Sequence, residues 1–338
     1  MTSNGDQNIY YSLERAVASI FGNNVHITGR QPVYGGDINQ SYCLTLSDGS
    51  SVFMKCNDMR NYAFFEKESV GLEALRSLGT IGVPKPLATG VDDADQVSFL
   101  LMEYLAPAPR RKDYWEVLGH ELALTHRHNT KGMITGDKDF FSDSQGKLSE
   151  TSIKKSSNET DISKCSDEEK NSEYGFCTDN YIGATPQMNT PKTGWIEFFR
   201  DCRLRPQMRM AEKQLDSGTR EKCEILLDRL DRFLEEPAFP SLLHGDLWSG
   251  NVICGPNGKA WMIDPAVYVG HFEAEIAMTE LFGGYPDSFY RAYQEINRME
   301  PGYEDRKDLY NLYHVLNHLN LFGPSYLGEV RRIIRRFV

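Results

Sequence analysis

The chain has 338 residues, 40% of them hydrophobic and 25% charged, with a formal net charge of −11; it is long enough for two lobes with separate cores and ordinary for a globular protein. That acidity excludes general binding to nucleic acid or anionic membrane, because no basic field draws phosphates in, and no apolar run approaches the ~20 residues that span a bilayer. The start (M-T-S-N-G-D-Q-N) has no charged-then-apolar leader pattern, and seven scattered cysteines without a C-x2-C pair point to reduced thiols, so the expected compartment is the cytoplasm.

Residues 8–21 place apolar side chains at helical spacing and stop at Gly22, which predicts a first helix. Val25–Val33 reads as a strand, Tyr34–Asn39 as a tight turn and Ser41–Leu46 as the return, and Asp48-Gly49 turns the chain into a third strand, Ser51–Cys56. Gly35 and Gly36, in the first of these turns, let backbone N–H groups approach a phosphate closely. Lys55 emerges one strand later, where a kinase keeps its phosphate-pairing lysine. Tyr62–Leu78 reads as a helix that buries Phe65, Leu72, Leu75 and Leu78. Glu68 shares that inward face and is the expected partner of Lys55, with Glu66 as the alternative. Pro84–Gly90 and Val97–Leu105 complete a five-stranded antiparallel N-lobe, residues 1–105, and Met102, Glu103, Tyr104 and Leu105 fall at the hinge where adenine would bond to backbone.

The remainder, residues 106–338, reads as a mostly α-helical C-lobe. Its first helix is expected over Asp113–Arg127 with Asp113 as cap; His126 and His128 read as polar C-terminal groups, since no third ligand stands at a zinc-like spacing. Thr130–Ser172 differs in kind: of 43 residues eight are hydrophobic, sixteen charged and nine serine. Such a segment buries too little surface to offset its ordering entropy and is expected to be a disordered insertion. Further helices are predicted at Trp195–Leu215, Arg220–Leu234, Phe272–Leu281, Pro286–Asn297 and Tyr303–Leu321. In the last helix Arg331, Arg332, Arg335 and Arg336 form a solvated face around Ile333 and Ile334.

The chemistry concentrates between Ser241 and Ala266, S-L-L-H-G-D-L-W-S-G-N-V-I-C-G-P-N-G-K-A-W-M-I-D-P-A. Leu242–Leu243 leads into a loop carrying His244, Asp246 and Asn251; a turn over Gly255–Gly258 returns the chain along Trp261–Ile263 to Asp264, which predicts one small β-ribbon with the three polar residues at one end. Phosphoryl transfer from ATP needs a carboxylate that orients the acceptor hydroxyl and takes its proton, with an amide and a second carboxylate to hold Mg2+ on the phosphates. H-x-D-x4-N followed by an Asp at a strand end supplies all three.

With G-G-D-I-N-Q-S-Y (35–42), F-E-K-E-S-V-G-L-E-A-L (65–75), D-N-Y-I-G-A-T-P-Q-M-N-T (179–190), F-F-R-D-C-R-L-R-P-Q (198–207), L-H-G-D-L-W-S-G-N (243–251), D-P-A (264–266) and G-H-F-E-A-E-I-A-M-T-E-L-F-G-G (270–284), the chain resembles the fructosamine kinase (ketosamine-3-kinase) family nearly end to end. This is a branch of the aminoglycoside-phosphotransferase-like kinases. The resemblance implies an α+β, protein-kinase-like bilobal fold, ATP and Mg2+ as cosubstrates, and phosphorylation of the 3-hydroxyl of a ketosamine, on a small molecule or a glycated protein, by a monomer or homodimer. The unstable 3-phosphate makes such a reaction deglycating. It also implies Asp246 as base, Asn251 and Asp264 as magnesium ligands, Lys55 with Glu68 as phosphate clamp, and Trp248 as a flat face for the sugar. Two features depart from the family: the segment 130–172 stands where a short loop is usual, and Asp37 stands where some members carry a redox-active cysteine.

A ketosamine carries a cationic amine, so Glu273 and Glu275 are candidate sources of negative potential for it; as helix N-terminal charges they have an equally simple reading. Three other functions stay open. A protein kinase is disfavoured because Pro265-Ala266, not Phe-Gly, follows Asp264. A kinase of aminoglycosides or choline-like amines would share the base and metal residues. A catalytically dead ATP-binding scaffold is disfavoured by the joint presence of Lys55, Asp246, Asn251 and Asp264.

Overall fold

Hairpins build the first half of the molecule. The computed structural model describes residues 9–33, 39–136 and 173–338; Gly35, Gly36 and Asp37 lie outside the described residues, as does residues 137–172, the larger part of the polar segment. Five strands, β1 (Ile27–Val33), β2 (Gln40–Leu46), β3 (Ser51–Asp58), β4 (Pro86–Asp92) and β5 (Val97–Glu103), form an antiparallel sheet in the order β1-β2-β3-β5-β4. Alternation along β2, β3 and β5 turns Leu44, Leu46, Val52, Met54, Cys56, Phe99 and Leu101 to one face, where they pack on Leu13, Ala16 and Val17 of α1 (Leu13–Phe21). Helix α1 begins later than its apolar spacing suggests, because the Ser12 hydroxyl accepts the Arg15 N–H and caps it there. Helix α2 (Tyr62–Ser77) sends Phe65, Leu72 and Leu75 into a core continuous with the helical half. Each such side chain contributes roughly 1.5–3 kcal/mol on full burial.

The helical half opens with α3 (Tyr114–His126). Asp113 does not cap it: its carboxylate is held by Arg111 at 2.9 Å. His126 is no capping group either, being fully buried in a polar network described below. Ordered packing also runs further than composition indicates, for Lys131–Thr135 forms a short helix, α4, that buries Met133 and Ile134, and the Cys177 N–H donates to the Met133 carbonyl. These are adjacent apolar residues in a segment otherwise poor in them, and the boundary expected at Thr130 is therefore too early. The helix expected over Trp195–Leu215 is divided into Trp195–Phe198, a wide π turn Phe199–Leu204 and Arg205–Met210; Pro206 lacks the N–H that a regular turn would use there.

The single ribbon expected around the catalytic sequence is in fact two. β8 (Ser241–Leu243) pairs with β11 (Tyr268–Gly270), and β9 (Val252–Cys254) pairs with β10 (Ala260–Met262). Nesting one hairpin inside the other brings the β8–β9 loop, with Asp246 and Asn251, beside the β10–β11 turn, with Asp264. A further hairpin, β6 (Asn180–Ile182) and β7 (Thr185–Gln187), lies against α2. Arg331, Arg332 and Arg336 pair with Asp216, Asp308, Glu329 and Asp305 on the outer face of the last helix, Leu327–Phe337, as a solvated face requires. Among the described residues the cysteines are free and no helix is long and apolar enough to cross a membrane.

Candidate active site

Lys55 is placed by β3 and Glu68 by α2, and the buried ammonium lies 2.5 Å from the Glu68 carboxylate. Glu66 is not its partner. The same ammonium also bonds to Asp264. Burial would by itself lower the lysine pKa, but the charges of Asp264 and Glu68 outweigh it and the pKa is raised, so the group stays cationic. Asp264 holds its position at a φ of +58°, a left-handed conformation uncommon for a residue other than glycine.

The catalytic loop is fixed by backbone. His244 is fully buried; its Nε2 lies 2.8 Å from the Ile263 carbonyl and its Nδ1 accepts the Asp246 N–H at 3.3 Å. Both bonds are made by one neutral tautomer, and burial lowers the pKa in the same sense. The Ala266 N–H donates to the His244 carbonyl at 2.8 Å, so the loop of Asp246 and the turn of Asp264 are stitched on both sides. Gly245, at φ +81°, allows this approach: a Cβ there would lie 2.1 Å from the Ala266 carbonyl oxygen.

Glu273 and Glu275 do not face an acceptor. The Glu273 carboxylate is fully buried against Arg306, 2.7 Å away, in the core. Glu275 is also buried and accepts the N–H groups of His244 at 3.1 Å and Gly245 at 2.8 Å, while His126 Nε2 lies 3.0 Å from it. Burial works against its ionisation, yet the bonds to His126, His244 and Gly245 hold its pKa below the ordinary value. The helix Phe272–Leu281 is buried almost all round its first turns, so no period separates an inward from an outward glutamate there.

Asp246 lies half-buried beside Asn251, whose Nδ2 donates to the Asp246 carbonyl at 2.8 Å and to its carboxylate at 3.2 Å. Burial first, and the neighbouring Asp264 second, push the Asp246 pKa up to about 7. With the amide nitrogen of Asn251 turned to Asp246, its Oδ1 is left as a hard oxygen donor in the cleft that Asp264 also lines. Among the described residues no three His, Cys, Asp or Glu side chains form a metal cage. One carboxylate with one amide oxygen fits magnesium, which keeps waters and takes further ligands from phosphates.

These groups line a cleft of about 630 Å³. One wall holds Lys55, Glu68, Asp246, Asn251 and Asp264; the other is aromatic, with Trp248, Phe282, His318, Phe322 and Tyr326 in a chain of ring contacts 5.0–6.4 Å apart. Trp248 was expected here; the other four were not. Their signal was the spacing of four between His318, Phe322 and Tyr326, which puts three rings on one line of a helix and its extension. His318 Nδ1 lies 2.8 Å from the His314 carbonyl, and burial lowers its pKa, leaving a neutral ring in the wall. Met102, Glu103, Tyr104 and Leu105 stand apart from this cleft, at the end of β5 where the chain leaves the sheet. The Glu103 N–H already donates to the Lys85 carbonyl at 2.8 Å.

A family model described as fructosamine kinase matches residues 10–152 and 149–338. The chain is 36% identical over 316 residues, 93% of its length and 83% of the relative's, to a chloroplastic protein-ribulosamine 3-kinase of Arabidopsis thaliana. It is 35% identical over 306 residues, 89% of its length and 92% of the relative's, to the ketosamine-3-kinase of Mus musculus. A crystal structure of a candidate fructosamine-3-kinase from Haemophilus somnus 129PT superposes with a TM-score of 0.76 at 25% identity, covering 98% of each chain. Sheet order, lysine strand, glutamate helix and catalytic loop together make the fold α+β and protein-kinase-like, with a five-stranded antiparallel sheet and a helical part.

Proposed function

The chain belongs to the fructosamine kinase family, and from that premise we propose that it transfers the γ-phosphoryl group of ATP to the 3-hydroxyl of a ketosamine, on a small molecule or a glycated protein. The observation that carries this reading is the cleft itself, in which the Asp246 carboxylate, bonded to Asn251, shares one lining with a lysine–carboxylate clamp and a run of aromatic rings.

Lys55, oriented by Glu68 and Asp264, pairs with phosphate oxygens. Asn251 and Asp264 would hold Mg2+, which supplies neutralisation of the charge that develops on the transferred group. The adenine edge meets backbone between Met102 and Leu105, where the Glu103 N–H is already engaged by the Lys85 carbonyl. Gly35 and Gly36, outside the described residues, keep the phosphate-contacting role that the sequence suggests. Asp246 accepts the proton of the attacking hydroxyl, and its raised pKa matches that task at neutral pH. On the opposite wall the rings of Trp248, Phe282, Phe322 and Tyr326 take the sugar face and its cationic secondary amine, as aromatic faces attract cations. The recognition of that amine therefore rests on these rings and not on Glu273 or Glu275. Loss of the 3-phosphate frees the amine, so the outcome is deglycation. The free thiols suit a reducing compartment such as the cytoplasm.

The reading is tested by supplying ATP and Mg2+ with ribulose-lysine, fructose-lysine, free hexose, a hydroxyl-bearing peptide, an aminoglycoside or choline, following ADP release and the position of phosphate by phosphorus NMR. Phosphate on carbon 3 of a ketosamine alone is expected. Robust use of an aminoglycoside or choline with no ketosamine turnover would assign the protein to a different acceptor.

A further inference from the structure

Both anionic partners of Lys55 are reached from one small hairpin. Tyr181, on β6, stacks on Phe64 of α2 with ring centroids 4.4 Å apart and planes inclined by 23°. Phe64 lies one helical turn before Glu68. Beside it, Lys67 Nζ lies 2.5 Å from the Thr178 hydroxyl, just ahead of the hairpin.

The root of the hairpin is buried and reads the backbone that follows Asp264. Asn180 Nδ2 donates to the Val267 carbonyl at 2.7 Å, and Gln187 Nε2 donates to the Ala266 carbonyl at 2.9 Å and to Asn180 Oδ1 at 2.7 Å. From the far side, Tyr313 donates to Gln187 Oε1 at 2.6 Å. Buried amides satisfied on every side hold one geometry, because any shift leaves a donor or acceptor unpaired. Helix α2 also rests directly on this backbone, where a Cβ on Gly71 would meet a Val267 methyl at 3.1 Å.

We infer that the hairpin Asn180–Gln187 is the device that assembles the phosphate clamp across the two halves of the molecule, with Tyr181 the positioning residue for Glu68 and the pair Asn180 and Gln187 the positioning residues for Asp264. The lysine strand alone does not determine where either carboxylate lies; the hairpin ties both to one rigid root. It rests on the reading of Lys55 as a phosphate-pairing residue and is independent of which acceptor is used.

The test is binding of magnesium and a non-hydrolysable ATP analogue, measured by calorimetry, with amide hydrogen exchange of residues 62–77. In Tyr181→Ala the nucleotide affinity is expected to fall roughly 10-fold, since small displacements of a positioning group are costly. Exchange across α2 should quicken while the helix Tyr303–Phe322 stays protected. Tyr181→Phe should match the wild type. Phe64→Ala should reproduce the loss, and the double variant should be no worse than either single one. Should Tyr181→Ala not fold, Tyr181→Leu carries the same comparison. Unchanged nucleotide affinity and α2 exchange with a raised KM for ketosamine would make Tyr181 an acceptor contact and overturn the inference, as would losses that simply multiply in the double variant. A protein that binds nucleotide and hydrolyses it but phosphorylates no ketosamine would overturn the proposed acceptor and leave this inference standing.

Discussion

The two walls of the cleft are built on opposite principles. On the phosphate wall every functional side chain has at least one partner fixed by secondary structure: Lys55 by Glu68 and Asp264, Asp246 by Asn251, and the loop beneath them by Glu275. The acceptor wall is made of rings, three of which are large and exposed, Trp248 at 39%, Phe282 at 37% and Phe322 at 52%. Trp248 meets Phe282 edge to face and the other ring pairs are tilted, and of these rings His318 is the one held by a hydrogen bond, to the His314 carbonyl. The difference teaches that the two substrates make unlike demands. Phosphoryl transfer rewards donors and carboxylates held to a fraction of an ångström, whereas a sugar carrying a variable amine needs a flat, cation-attracting surface that tolerates different occupants.

The comparison breaks most visibly at Asp246. Asp246→Asn keeps the shape and the bond to Asn251 but cannot take a proton, so turnover should fall ~10²–10⁴-fold with nucleotide affinity nearly unchanged. A variant retaining more than about a tenth of the wild-type rate would remove Asp246 from the role of base. Lys55→Ala leaves Glu68 buried without its cation; about 3–5 kcal/mol of stability should be lost along with nucleotide binding, read by chemical denaturation and calorimetry. Glu275→Gln tests the loop rather than the chemistry, since the amide accepts one N–H where the carboxylate accepts two. A loss of ~1.5–3 kcal/mol in unfolding and a lower kcat with unchanged ketosamine KM are expected.

The pH profile sharpens the same contrast. Asp246 must be ionised to act, and its pKa is pushed up to about 7, so kcat/KM should fall below neutrality by about tenfold per pH unit. An acid limb near pH 4 would place the proton acceptor elsewhere. The smallest effect belongs to the acceptor wall: Phe322→Ala should raise the ketosamine KM by about 2–5-fold, the range of one exposed cation–ring contact, with basal ATP hydrolysis unmoved.

The gathering of Asp246, Asn251 and Asp264 in one cleft was legible in the sequence because the chemistry proposed for them depends on residue types at short fixed offsets, His244-x-Asp246-x4-Asn251 and the Asp264 strand end. Lys55 and Glu68 were legible because period and strand order place them. Of the acceptor rings Phe282 lies about thirty residues beyond the motif and His318, Phe322 and Tyr326 some seventy, and only folding brings Phe282 and His318 to Trp248. Glu273 and Glu275 were misplaced for a related reason: a buried helix offers no polar face by which direction can be read, and both carboxylates found partners inside. The two nested ribbons were missed because a strand of three residues, such as β11, carries no periodic signal, and its partner β8 precedes it by more than twenty residues.

The left-handed backbone at Asp264 governs which experiments on this proposed magnesium ligand can be interpreted. Asparagine tolerates that conformation better than most residues, whereas alanine and, more so, a β-branched residue resist it. Asp264→Asn would therefore withdraw a charge while leaving the turn into Pro265 and Ala266 in place. Asp264→Ala would withdraw the charge and strain the stitching to His244 as well. A difference in rate between these two variants reads out how much of catalysis is carried by the main chain.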